Sequence, residues 1–158
     1  MTRQIGIVAA IHRYPVKSMM GEELNAARIG ARGLLGDRVF SLADPATGKI
    51  ASAKNPSRWP ALFSFRATFT RPPEENGALP PARITFPDGG SVSTEDKLKI
   101  TGPCGRCVMT TLARGDLPKD NGILKTAAQH NQARVGAYAS VLQGGKVQSG
   151  DAVCVESG

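Results

Sequence analysis

This chain of 158 residues predicts a mainly β fold of the α+β kind, barrel-like, with one or two helices packed outside. Three observations carry that expectation. Short apolar stretches recur along the chain with Gly, Pro, Asn and Asp clusters between them. Residues 62–70 alternate Phe63, Phe65, Ala67 and Phe69 with Ser64, Arg66, Thr68 and Thr70, the period of a strand with one buried face. Only residues 120–131 show convincing helical spacing.

Taken in order, residues 5–13 are apolar and β-branched and read as a first strand ending at Tyr14-Pro15. Residues 24–29 form a second candidate, followed by the glycine-punctuated stretch 30–36. Residues 38–43 and 49–53 flank Asp44-Pro45-Ala46-Thr47-Gly48, whose turn residues suit a hairpin tip. The alternating strand at 62–70 leads into residues 71–81, rich in Pro, Glu and Gly, an exposed loop. Residues 83–86 and 91–94 flank Asp88-Gly89-Gly90 as a further hairpin. In the helix, Asp120 is the N-cap and Ile123, Leu124, Ala127 and Ala128 repeat on one face. Residues 134–142, the Gln143-Gly144-Gly145 turn and strands after Lys146 and Asp151 close the chain. No internal repeat is present, and the length fits a single domain over residues 1–158, with 71–81 the one candidate boundary.

Three cysteines, an odd number, argue against a disulfide framework and fit a reducing compartment. The N-terminus has no apolar run suited to a signal peptide, and no stretch approaches a membrane span, so a cytoplasmic protein is expected. The net charge of +7 is uneven: residues 1–71 hold eleven Lys/Arg against four Asp/Glu, and residues 72–158 hold nine of each. Nucleic acid is a poor partner, because the cations are dispersed and aromatics make up only 5%. A small anionic or phosphorylated ligand suits the basic half better; a solvated basic face is the plainer reading.

Gly102-Pro103-Cys104-Gly105-Arg106-Cys107 is the most informative stretch. Two thiols flank an arginine whose charge stabilises a thiolate. A four-thiolate zinc site needs a second ligand pair, which the chain lacks: the remaining cysteine is Cys154, and His12 and His130 are isolated. A thioredoxin-like dithiol opens a helix, whereas Val108-Met109-Thr110-Thr111-Leu112 favours a strand. Structural thiols and a single reactive thiolate, Cys107 or Cys104 beside Arg106, remain. Near the N-terminus, Lys17 and Ser18 follow a strand and a proline, and Arg38 follows Gly36-Asp37. A lysine, a hydroxyl donor and an arginine fork on neighbouring strand ends suit a phosphate. Asp37 pairing with Arg38, or capping a turn, is the plain alternative.

Tyr14-Pro15-Val16-Lys17-Ser18, Gly33-Leu34-Leu35-Gly36-Asp37-Arg38, Thr47-Gly48 and Ala53-Lys54-Asn55-Pro56 resemble the N-terminal β-barrel segment of MOSC-domain proteins, the family named for the C-terminal domain of molybdenum cofactor sulfurases. Pro103-Cys104-Gly105-Arg106-Cys107-Val108-Met109-Thr110-Thr111, Gly115-Asp116-Leu117-Pro118, Gly136-Ala137-Tyr138-Ala139 and Gly145-Lys146-Val147 with Gly150-Asp151 resemble its C-terminal segment. The resemblance implies a compact, MOSC-like β-barrel that binds molybdenum cofactor (molybdopterin), with Cys107 as the ligand to molybdenum. Arg106 contacts the cofactor, and Lys17, Ser18 and Arg38 hold its anionic tail. Reduction of an N–O or S–O bond, or sulfur transfer, is the chemistry implied.

The chain departs from the family between residues 57 and 101, where no Arg-Phe-Arg-Pro-Asn-like strand occurs and Glu95-Asp96 is the remnant of a longer acidic stretch. A more open pocket, completion by a homodimer partner, or loss of the metal with retention of the thiolate follow from that gap. The readings therefore run from a cofactor-dependent oxidoreductase or sulfurtransferase to a metal-free cysteine enzyme acting on a small substrate as nucleophile, and to a non-catalytic cofactor or sulfur carrier. With no Gly-x-Gly-x-x-Gly fingerprint, a reductase needs a separate electron donor, and a transferase a sulfur donor protein. Trp59 reads as a packing anchor or a pocket wall, and Tyr138 as a neighbour of Cys107 or ordinary strand packing. His130 suits the C-terminus of the helix, His12 the core, and Cys154 a buried or outer strand position.

Overall fold

In the computed structural model the described residues are 2–44, 46–94, 112, 117–131 and 143–156. Residues 134–142 and the Cys104–Cys107 turn lie outside them. The chain begins with β1 (Thr2–Ile7), which pairs antiparallel with the last strand, β10 (Ala152–Glu156), from Thr2 opposite Glu156 to Ile7 opposite Ala152, with a bulge between Gln4 and Gly6. β2 (Ile11–Arg13) pairs with β3 (Glu22–Leu24). β4 (Ala26–Gly30) lies between β5 (Gly33–Leu34) and β9 (Gly145–Gln148). β6 (Arg66–Phe69), β7 (Ala82–Thr85) and β8 (Ser91–Ser93) form a meander. The protein is mainly β, and among the described residues the paired strands all run antiparallel. Among the described residues the four sheets do not join into a closed barrel.

Two strands expected to be continuous are each divided, and one turn explains both. The stretch 5–13 breaks at residues 8–10, where Val8 N–H donates to the Asp151 carbonyl at 2.8 Å and Gly150 N–H donates back to the Val8 carbonyl at 2.8 Å. The stretch 24–29 breaks at Asn25, whose carbonyl accepts from Ser149 N–H at 2.9 Å. At both places the backbone bonds the 149–151 turn and then changes partner strand. Periodicity reports a buried face and is blind to such a change of partner.

The alternating stretch 62–70 is also composite. Leu62–Ser64 is a 3₁₀ turn, and the strand starts only at Arg66. Leu62 and Phe63 pack on a small core with Ala51, Ala53, Trp59 and Leu112. Phe65, Ala67 and Phe69 enter the main core instead, with Val16, Met19, Ala82 and Ile84. The apolar residues thus alternate, but they serve two cores around one turn. Phe40 tilts against Phe69 with centroids 6.1 Å apart, and Phe65 meets Phe86 edge-on at 5.7 Å.

Turn chemistry is where expectation and structure agree best. The 43–50 turn forms, closed by a bridge between Ala43 and Ile50 and by Gly48 N–H donating to the Asp44 carbonyl at 2.8 Å, but the flanking stretches 38–43 and 49–53 make isolated bridges rather than the strands expected. The β7–β8 hairpin turns at Gly89, whose φ of +88° suits glycine, while Asp88 Oδ1 accepts from Gly90 N–H at 2.9 Å. Residues 71–81 are a mostly exposed loop whose buried Pro73 and Pro80 hold its two ends down. The helix, α1 (Gly122–Asn131), starts two residues after the expected cap, with Asp120 Oδ1 accepting from Gly122 N–H at 2.6 Å.

Gly21 closes the loop between β2 and β3. A Cβ there would lie 2.1 Å from the Arg13 carbonyl oxygen, and a backbone atom cannot swing aside. Gly21→Ala is therefore expected to lower stability by about 1–3 kcal/mol. Gly30→Ala, with open space around the added carbon, stays within about 0.5 kcal/mol of wild type. Urea unfolding of both variants checks the contrast, and equal midpoints would remove the proposed close approach.

Candidate functional site

Residues 14–18 and 37–40 cross side by side, linked by a parallel bridge between Val16 and Phe40. Arg38 N–H donates to the Tyr14 carbonyl at 2.7 Å, Phe40 N–H to Pro15 at 3.0 Å, and Lys17 N–H back to Phe40 at 2.9 Å. Pro15 and Val16 are fully buried, which pins this crossing to the main core. Half-buried Lys17 and Ser18 follow directly. Ser18 Oγ accepts from Ala53 N–H at 3.1 Å, drawing in a third segment. Asp37 ties the other side, accepting from Tyr14 N–H at 2.9 Å through Oδ1 and from Arg38 Nε at 2.7 Å through Oδ2. The crossing thus places Arg38 beside Tyr14 and Lys17 beside Phe40, with the Ser18 hydroxyl against Ala53, and Asp37 makes the pairing with Arg38 that was the plain alternative.

The backbone here is unusual. Ser18 has φ +66° and Arg38 has φ +52°, and among the described residues no other non-glycine side chain sits on left-handed backbone. For an L-residue that conformation costs roughly 1–2 kcal/mol relative to a right-handed one. Such strain survives only where surrounding contacts over-determine it, and it concentrates at ligand sites. Next to Arg38, Gly36 has φ +83°, and a Cβ on it would meet the Phe69 ring at 2.6 Å. Among the described residues the Lys17 ammonium has no hydrogen-bond or ion-pair partner, and the Ser18 hydroxyl has no acceptor for its proton. Arg38 is just over half exposed. The donors at the crossing are therefore open to an anion.

A concave region lies apart from the crossing. Leu42, Ala43, Asp44, Ala51, Arg58 and Trp59 line an open cleft of about 540 Å³. A smaller cavity of about 110 Å³ lies behind it, walled by Ala53, Trp59, Leu62, Phe63, Leu112 and two prolines. Trp59 is thus both packing anchor and pocket wall. Lys17, Ser18 and Arg38 line neither cavity. Asp44 Oδ2 accepts from the Thr47 hydroxyl at 2.7 Å and from Arg58 Nη2 at 2.7 Å, and Oδ1 accepts from Ala46 N–H at 3.0 Å. The Thr47 and Arg58 bonds, in that order, hold the Asp44 carboxyl down at about 2.

Sequence reasoning missed Arg13. This buried side chain donates from Nε to Glu22 Oε1 at 2.9 Å, donates from Nη1 to the Leu35 carbonyl at 3.4 Å, and lies 4.9 Å from the Phe69 ring centroid. The available signal was Ile11-His12-Arg13, whose alternation places Arg13 on the face of buried Ile11 and leaves His12 exposed rather than against the core. Cys154 is an exposed thiol on β10, the outer of the two positions expected for it. Cys104, Arg106, Cys107 and Tyr138 lie outside the described residues, as does the His130 side chain. Among the described residues no cluster of His, Cys, Asp and Glu is fit to hold a metal ion, and no helix is long and apolar enough to cross a membrane.

Two outcomes follow from this geometry. Arg38→Gly relieves left-handed strain and loses only an ion pair whose arginine is more than half exposed, so the melting temperature is expected to stay level or rise. A fall of more than a few degrees in a thermal scan would show that the Arg38 side chain holds the crossing together. Asp44 has a lowered folded-state pKa, so its contribution to stability is present above about pH 4 and is lost as pH falls towards 2. A carbon-detected NMR titration of the Asp44 carboxyl is expected to show a midpoint near 2, and a midpoint near 4 would mean the Thr47 and Arg58 bonds are absent in solution.

Comparison with known families gives two matches that together span most of the chain. Residues 5–102 match the MOSC N-terminal beta barrel domain, and residues 65–154 match the MOSC domain. Comparison with curated proteins finds no match, and comparison with solved structures finds none. Each family match covers more than half of the chain, and the two overlap across the β6–β8 meander. The crossing of residues 14–18 with 37–40 falls in the first matched region and residues 104–107 in the second, so this chain belongs to the MOSC family.

Proposed function

We propose that this MOSC protein holds a small phosphorylated ligand at the crossing and carries out chemistry on it with the Cys107 thiolate beside Arg106. One observation carries the reading: Ser18 and Arg38, two of the three residues matched to the anionic tail of the cofactor, are the described non-glycine residues on left-handed backbone. Lys17 supplies the third donor as an ammonium without a partner among the described residues. Two cations and a hydroxyl proton form the donor set that a phosphate dianion needs.

The ligand we favour is molybdenum cofactor. Its phosphate would rest on Lys17, Ser18 and Arg38, and Cys107 would hold the metal, a soft thiolate suiting a molybdenum–sulfur centre. When bound, that group supplies two-electron reduction of an N–O or S–O bond, or accepts sulfur. Lys17 and Arg38 neutralise the phosphate, Arg106 favours the thiolate form of Cys107, and Cys104 is its neighbour. As an oxidoreductase the protein takes electrons from a separate donor; as a sulfurtransferase it takes sulfur from a donor protein. A reducing, cytoplasmic setting keeps the thiols free, and a second copy could complete the pocket.

The residues between 57 and 101 favour a second reading. Residues 66–93 of this stretch build the β6–β8 meander, and Arg66 donates to the Gly21 carbonyl, a structural use. Without the usual cofactor-lining strand, Cys107 and Arg106 would act on a small substrate with no metal, the thiolate as nucleophile, or the module would carry its ligand without turnover.

Metal and pterin analysis of the purified protein separates these, with molybdenum near one per chain expected for the favoured reading. Cys107→Ser is expected to abolish activity or persulfide formation, whereas Cys104→Ser keeps much of it. Iodoacetamide that labels Cys104 faster than Cys107 at neutral pH in metal-free protein would reverse those roles. For the anion, a ligand at 100 times its dissociation constant adds about 2.7 kcal/mol to stability. Sulfate is expected to raise the melting temperature over chloride at equal ionic strength, and Lys17→Ala with Arg38→Ala to remove most of that gain. Equal melting in both salts for wild type would leave the basic half a solvated surface.

A further inference from the structure

The cleft at Trp59 lies apart from the crossing and has no part in the function proposed above. One wall is the 42–51 hairpin, held by Ala51 N–H donating to the Leu42 carbonyl and Asp44 N–H to the Lys49 carbonyl, at 2.8 and 2.9 Å. The other is a tight turn in which Arg58 and Trp59 N–H both donate to the Asn55 carbonyl, at 3.2 and 3.0 Å. Leu42, Ala51 and Trp59 supply the apolar lining, and Asp44 and Arg58 the charge. The cleft, at about 540 Å³, is within the size range of ordinary small-molecule sites.

Arg58 is held ready. Its Nη2 donates to Asp44 Oδ2 at 2.7 Å and to Thr47 Oγ1 at 3.1 Å, and its guanidinium carbon lies 5.4 Å from the Trp59 ring centroid. Those two bonds use both Nη2 protons. Among the described residues Nε and Nη1 have no partner. An arginine fixed by two bonds and a ring loses little freedom when it binds a further acceptor. Asp44 already accepts from Ala46, Thr47 and Arg58, so its charge is met by the Arg58 cation beside it. Residues 42–59 carry Lys49, Lys54 and Arg58 against Asp44 alone, so the local field favours an anion.

We propose that this cleft binds an aromatic carboxylate, its ring against Leu42, Ala51 and Trp59 and its carboxylate accepting a charge-assisted bond from Nη1 of Arg58. Flat rings pack on indole and methyl groups, and a hydrogen bond from a guanidinium to a carboxylate is stronger than one to a neutral acceptor.

Trp59 is the single tryptophan of the chain, so its indole N–H resonance in the ¹⁵N-labelled full-length protein reports this cleft without ambiguity. Titration with 2-naphthoate is expected to shift that signal saturably. The uncharged 2-naphthamide and the non-aromatic cyclohexanecarboxylate are each expected to bind at least tenfold more weakly, a comparison made on unaltered protein. Arg58→Gln is expected to weaken naphthoate at least tenfold while the melting temperature shows that it folds. Arg38→Gly, at the crossing, leaves naphthoate binding intact, so this site and the phosphate site succeed or fail separately. Equal binding of the amide, equal binding to Arg58→Gln, displacement of naphthoate by inorganic phosphate, or no saturable shift would each overturn the assignment.

Discussion

The guanidinium of Arg13 lies inside the protein, bonded to Glu22 across the β2–β3 pair, in contact with the Leu35 carbonyl, and placed on the ring of Phe69. These contacts reach three separate parts of the chain. Glu22 is the cross-strand partner of Arg13, so the ion pair clamps the base of the loop that carries Lys17 and Ser18. Leu35 sits in the turn that delivers Asp37 and Arg38, and Phe69 belongs to the main core. A charge taken out of water costs several kcal/mol unless it is paired. Once Arg13 is buried, Glu22, the turn and the ring must therefore take up positions around it. Removing one partner of such a pair typically costs about 3–5 kcal/mol, which makes this clamp a condition for the crossing rather than an ornament of it.

Above that clamp the backbone of the crossing has little freedom left. Pro15 and Val16 are buried, Arg38 and Phe40 are bonded to the opposing segment, and Asp37 grips both Tyr14 and Arg38. Under those restraints Ser18 and Arg38 sit in a conformation that an isolated L-residue avoids. The strain is offset by the core beneath, in which Val16, Met19, Ala67 and Ala82 are almost completely removed from water. A rigid, strained crossing holds its donors in place before a ligand arrives, which lowers the ordering cost of binding.

The two small cores divide the labour of the fold. The main core supports the crossing, while Ala51, Ala53 and Leu62 with Trp59 support the hairpin and the cleft above it. Leu42 packs against both, and Ala53 N–H reaches across to Ser18 Oγ. The crossing and the Trp59 cleft thus sit on one scaffold but draw their rigidity from different packing. That separation allows a change in one to leave the other standing.

Local pattern was enough to specify the strand-rich class, the Asp44–Gly48 and Asp88–Gly90 turns, the helix near 122–131 and the family motifs at Lys17, Ser18 and Arg38. Each depends on residues a few positions apart: side chains that cap their own backbone, glycines that accept positive φ, apolar residues with a fixed period. The ends of the strands were not legible, because Asn25 and residues 8–10 change partners through bonds to the 149–151 turn, more than a hundred residues away. Nor was the split of residues 62–70 between two cores, since alternation says that a face is buried and not against what. Arg13 was passed over because a lone arginine in a strand reads as solvated until its carboxylate, carbonyl and ring partners are known. The sequence by itself determined which residue types could meet an anion. Only the tertiary structure decided that Ser18 and Arg38 would be held on left-handed backbone and that Arg58 would be locked over Trp59, because those states are imposed by contacts between segments that no local pattern encodes.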